Sequence, residues 1–115
     1  TPTRSSAASD VYKRQIYNVT VNVDEDVLSQ WLKWMSEKHI PDVMKTGLFK
    51  ECKLSKILAE EAGGRSYSVQ YLLENWDNYH DYQSKYALKL QKEHLDKFGN
   101  KCVAFRTLLE VKEVF

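Results

Sequence analysis

The chain has two cysteines, two prolines and four glycines in 115 residues, and no long apolar run. Cys52 and Cys102 are too few and too widely spaced for a disulfide framework or a four-ligand zinc site. They read as small apolar side chains. With no stretch near the roughly 20 apolar residues that cross a bilayer, a membrane-spanning helix is not expected. Charge of one sign is lacking too, since 17 Lys and Arg stand against 16 Asp and Glu, and no basic stripe points to nucleic acid. No nucleophile motif, paired-carboxylate constellation or metal signature is present. Gly63-Gly64 precedes a strand rather than a helix, so it lacks the setting of a phosphate cradle. These absences leave a soluble cytoplasmic protein with no cofactor, no metal, no nucleic acid and no membrane partner as the expectation.

Thr1 to Gln15 (TPTRSSAASDVYKRQ) lacks apolar periodicity, an initiating Met and the apolar core of a signal peptide. Its tail resembles a translated sequencing-adapter scar, and the segment is expected to be a disordered, artefactual leader. Setting it aside removes Arg4, Lys13, Arg14 and Asp10, which takes the formal net charge from +1 to −1. Residues 16–115 then have the size of one small domain.

Within that domain, Tyr17, Val19, Val21 and Val23 alternate with Asn18, Thr20 and Asn22, a strand with one dry face. Asp24 is placed to cap a helix, and Glu25 and Asp26 put negative charge at its positive end. Leu28, Trp31, Leu32 and Met35 repeat with helical spacing, His39 continues their stripe, and Trp34 sits at its flank. Pro41 disfavours helical geometry at Ile40, so the helix is expected to stop there, with a short turn at 42–45 that Gly47 ends. Strands over 48–58 and 65–74 form a hairpin through the glycine loop. Asn75 caps a helix to about Phe98, with Trp76, Tyr79, Gln83, Tyr86, Leu90 and His94 on one stripe. Gly99 stops it, and a last strand runs over 102–114.

Strand, helix, strand, strand, helix, strand predicts an α+β, ferredoxin-like fold: an antiparallel four-stranded sheet in the order four, one, three, two, with both helices on one face. The two cysteines then lie on opposite edge strands, about 14 Å apart and out of disulfide reach. The other face is read as carrying Asn18, Thr20, Ser68 and Gln70 together with Leu72, Ala104 and Leu108. A surface that mixed calls for a second subunit, so a homodimer through the open sheet face is expected.

Four stretches, IYNVTVNVDEDV, WLKWMSEKHIPDVMKTGLF, YSVQYL and KEHLDKFGNKCVAFRTLLE, resemble a bacterial family known as domain of unknown function family 4286. The layout is also similar to the dimeric α+β barrels, a group that includes cofactor-independent monooxygenases, haem-degrading enzymes and lactone isomerases. Some of its members carry a His-x-Pro element after the first helix, here His39-Ile40-Pro41. The resemblance implies a fold and a location for a ligand, between sheet and helices, but no reaction.

His39 is the one catalytic candidate, since a histidine beside Trp31 and Trp34 can shuttle a proton or hold a ligand; it can equally bond a free helix-end carbonyl. Trp34, Tyr71 and Tyr86 can line an aromatic pocket or fill an ordinary core. Arg106, alone among apolar neighbours, needs a partner: an acid across the dimer interface is preferred, and an anionic ligand is the alternative. His94 can share a cleft with His39, without a third ligand for a metal. The leading expectation is a homodimeric small-molecule-binding or interaction module that uses Trp34, His39, Tyr71, Tyr86 and Arg106. An oxygenase or isomerase acting on a small apolar or aromatic substrate, and a purely structural dimer, are the alternatives.

Overall fold

The computed structural model describes residues 14–59 and 62–115. The leader reading of residues 1–13 lies outside them, as do Glu60 and Glu61 in the hairpin loop. Strand β1 (Gln15–Asp24) begins one residue before the boundary drawn from sequence, and Gln15 is paired on both sides, with Leu73 and Glu110. The order continues with helix α1 (Leu28–Trp34), a π-helical stretch (Met35–His39), α2 (Ile40–Met44), β2 (Glu51–Lys56), β3 (Gly64–Leu73), α3 (Trp76–Lys85), α4 (Ala87–Phe98) and β4 (Cys102–Glu110). The strands form one four-stranded sheet in the order β2-β3-β1-β4, all neighbours antiparallel. This is the ferredoxin-like topology expected.

Both predicted caps form. Asp24 Oδ1 accepts the Asp26 N–H at 3.0 Å, and Asn75 Oδ1 accepts the Asn78 N–H at 3.0 Å. The first helical arm does not stop before Pro41. A proline lacks the N–H for its own turn, and its ring presses on the carbonyl four residues back. The chain meets both demands by widening: Ile40 N–H donates to Met35 O, a five-residue step, and helical geometry carries through Pro41 to Met44. Gly47, at φ 77°, turns the chain out. The second arm breaks where one long helix was expected. Tyr86 leaves helical geometry at φ −128°, between α3 and α4. The break resets the phase, so the buried residues are Tyr82, Ala87, Leu90 and Phe98 rather than Gln83 and Tyr86.

The helices cover the face formed by Tyr17, Val21, Val23, Tyr67, Val69 and Tyr71, against which Trp31, Met35, Val43 and Leu90 pack. Opposed residues in an antiparallel sheet share a face. Leu108 opposes Tyr17, Arg106 opposes Val19, and Ala104 opposes Val21, so all three lie on the helix side and not on the open face where the sequence reading put Ala104 and Leu108. The error came from hydrophobicity. Val103, Phe105 and Leu109 are the more apolar row of β4 and look like its core face, yet they point outward, 53%, 65% and 42% exposed. Pairing register, which the strand's own pattern does not show, decides the face.

The open face therefore has an apolar strip along β4 beside a polar ladder in the middle of the sheet. Ser68 Oγ donates to Asn18 Oδ1 at 2.6 Å, Asn18 Nδ2 to Thr20 Oγ1 at 3.0 Å, and Asn22 Nδ2 to Ser66 Oγ at 3.2 Å. Among the described residues no helix is long and apolar enough to cross a membrane. Cys52 and Cys102 are free and half-buried on the two edge strands.

Candidate functional site

Between sheet and helices lies a cavity of about 40 Å³. One water needs roughly 10–15 Å³ by the same kind of measure, so the space suits a few waters or a ligand fragment of a few heavy atoms. Its floor is Val19, Val21, Val69 and Ala104; its polar groups come from five elements and the π-helical stretch, and no carboxylate is among the lining residues.

At one end stands a tyrosine cluster. Tyr17 is 5.9 Å from Tyr71, 5.9 Å from Tyr82 and 5.4 Å from Tyr79, ring centre to ring centre, with Phe49 packed on Tyr71 at 5.0 Å. Burial raises the pKa of Tyr17, Tyr71 and Tyr82, so all three are neutral phenols. Tyr17 Oη accepts from Arg106 Nε–H at 3.2 Å and also bonds Gln83, while Tyr71 bonds the Cys52 thiol.

At the other end stand the tryptophans and histidines. Trp34 stacks on His39 at 5.1 Å and 27°, and tilts against His94 at 5.7 Å; the two imidazole centroids are 6.1 Å apart. Trp31, fully buried, donates its Nε1–H to His94 Nε2 at 2.9 Å. That bond occupies the Nε2 lone pair and so assigns the proton of neutral His94 to Nδ1, leaving an N–H donor there. His94 cannot take a second proton without breaking it, and burial, with Arg106 adding to it, lowers its pKa.

His39 differs. Its Nδ1 is buried with no hydrogen-bond partner among the described residues, an arrangement that costs about 1–3 kcal/mol if nothing fills it. Burial first, then His94, Lys38 and Arg106, bring its pKa down to about 4 against the opposing pull of Asp42. It is a neutral base at neutral pH. The π-helical stretch ends at His39, and Pro41 is the reason for the widening, so the two outer members of His39-Ile40-Pro41 are physically linked: the proline sets the backbone that presents the histidine.

Arg106 lies at the edge of the cavity on β4. Its side chain is on the helix side of the sheet rather than on the open face, and no carboxylate among the described residues pairs with it. Of the residues singled out from sequence, His39, Tyr71 and Arg106 line the cavity and Trp34 backs His39. Tyr86 is elsewhere, on a surface groove with Lys38, Lys45 and Lys89. Tyr17, Tyr82 and Gln91 line the cavity without having been selected. Gln91 was findable, three residues before His94 on the same helical face; Tyr82 was hidden by the phase break at Tyr86. Among the described residues no group of three or more His, Cys, Asp or Glu side chains is placed to hold a metal ion.

Residues 14–112 match the family model described as Domain of unknown function (DUF4286). The chain belongs to this family. Comparison with curated proteins gives no match. Among solved structures, this DUF4286 chain is similar to a dimeric ferredoxin-like protein from an uncultured marine organism, at 17% identity and TM-score 0.63 over 88% of this chain and 97% of that one. A Bacillus cereus protein provisionally named an antibiotic biosynthesis monooxygenase aligns at 15% identity and TM-score 0.62, covering 90% and 97%. Hydroxynitrile lyase from Passiflora edulis aligns at 17% and 0.58, covering 90% and 98%. At such identities the likeness is one of fold, which this DUF4286 domain shares with proteins of different activity.

Proposed function

We propose that this DUF4286 protein is a homodimeric small-molecule-binding protein that holds its ligand between sheet and helices and pairs through the open sheet faces. The observation that carries the reading is the cavity that reaches His39, where polar groups from five elements and the π-helical stretch converge on an apolar floor, beside a His39 Nδ1 with no hydrogen-bond partner among the described residues. A purely structural dimer would pack continuously at that point, since interiors fill to the density of organic crystals.

The pairing is supported by the outward row of Val103, Phe105 and Leu109, a strip that a second copy would remove from water around the hydrogen-bonded polar ladder. The dimeric ferredoxin-like relatives add to that support. A thermal-shift screen of small metabolites tests the ligand, because a molecule that binds only the native state raises the melting temperature. The reading predicts at least one stabilising ligand whose effect is lost in His39→Ala; an unchanged effect in that variant removes it. Sedimentation tests the assembly: a dimer at micromolar concentration is expected, and a strict monomer overturns that half of the reading.

A further inference from the structure

Resting on the proposed ligand cavity, we infer that its ligand is a small carboxylate, held by Arg106 and bound together with a proton that His39 takes up. Three observations converge. Arg106 is a cation at the cavity edge with no carboxylate among the described residues paired to it, and it uses Nε on Tyr17 while the guanidinium's remaining donors stay available to a second acceptor. The His94 Nδ1–H is a further donor, its tautomer set by the Trp31 bond. The cavity of about 40 Å³ admits a headgroup and a short chain.

The proton follows from what surrounds His39. On its own helical arm Lys38 and Asp42 face it, and they pair with each other at 2.6 Å; Glu93 on α4 lies 3.9 Å from Lys38. Toward the cavity, His39 meets His94 on α4, ring centres 6.1 Å apart, and feels the charge of Arg106, an exposed residue of β4 that lines the same space. Lys38 and Asp42 already pair with each other, Arg106 is the cation among the cavity-lining residues and is itself exposed at the rim, and His39 is neutral with Nδ1 unpartnered among the described residues. A carboxylate neutralises the Arg106 cation and brings negative charge beside His39, which favours the imidazolium. The ligand enters as the anion, one solvent proton goes to the imidazole, and no bond of the ligand breaks. His94 takes no part in the uptake because its second nitrogen is engaged by Trp31.

Propionate and its neutral near-isostere propionamide are the probes, titrated into the full chain carrying ¹⁵N-histidine at about pH 6, with the His39 signal identified by its loss in His39→Gln. The inference predicts that propionate binds about tenfold or more tighter than propionamide, that saturation moves the His39 nitrogens to imidazolium shifts, and that Arg106→Gln abolishes the preference while keeping the Trp31 indole signal of the folded protein. Propionate binding should also tighten as pH falls toward 6, and propionamide binding should not. Equal binding of both probes with His39 still neutral overturns the carboxylate inference and leaves the ligand cavity standing. No perturbation of Trp31, His39 or His94 by either probe overturns the cavity reading and this inference with it.

Discussion

The tyrosine cluster and the tryptophan–histidine cluster face each other across the same cavity, both aromatic and both well buried, yet they are finished to different degrees. On the tyrosine side, Tyr17 is held by Arg106 and Gln83, and Tyr71 by Cys52. On the other side, His94 is satisfied by Trp31 but His39 keeps a buried nitrogen with no partner among the described residues. A domain of this size holds itself together by only a few kcal/mol. An orphaned buried polar atom in such a domain calls for an explanation, and a partner from outside the chain is the one proposed for His39. On the proposed function, the contrast separates structural aromatics from the edge of a binding site, although sequence composition treats the two clusters alike.

The largest effect that would sharpen this contrast comes from truncating each side. Tyr71→Ala removes a ring that is 2% exposed and should cost about 3–5 kcal/mol in urea denaturation. His39→Leu removes an unsatisfied polar atom and should stay within about 1 kcal/mol of the parent. The reverse ranking would break the comparison.

Next in size is pH. The folded-state pKa of His39 is lowered to about 4 from an ordinary 6.5. Between those values the unfolded chain binds more protons, so this contribution is fully present above pH 6.5 and is lost as pH falls toward 4, by no more than about 3 kcal/mol. His39→Gln should flatten that part of the stability profile; an unchanged slope would contradict the burial of His39. A smaller loss, about 1 kcal/mol, is expected in Tyr17→Phe, which removes the acceptor for Arg106 but keeps the ring. The least visible effect concerns Cys52 and Cys102, whose thiols burial pushes up to about 12 and about 11. Both should alkylate at least about tenfold slower than a free small-molecule thiol at neutral pH, without change in the cavity.

Much of this fold could be read from local pattern: the alternation of Tyr17 to Val23, the Asp24 and Asn75 caps and the Gly47 and Gly99 stops all sit where their chemistry places them. What escaped were features set by partners distant in sequence. The facing of Ala104, Arg106 and Leu108 depends on register with β1, and the burial of Tyr82 on a helix break that no residue at 86 announces. The passage through Pro41 depends on a π-helical widening that propensity alone argues against. The lining of the candidate cavity was legible in the same measure. His39, Trp34, Tyr71 and Arg106 stood out as chemistry on apolar faces, whereas the displacement of Tyr86 and the inclusion of Tyr17 and Gln91 required the two arms to be placed in three dimensions.

The most direct measurement fills the cavity from its floor. Ala104 is half-buried on β4 and lines the space, so Ala104→Leu should occupy it while leaving Arg106, Trp31 and both histidines in place. Melting temperature is then read with and without excess propionate. The account predicts a rise for the parent chain and none for Ala104→Leu, whose own unliganded melting temperature stays within a few degrees of the parent. An equal propionate-induced rise in both proteins would place the ligand elsewhere and contradict the account.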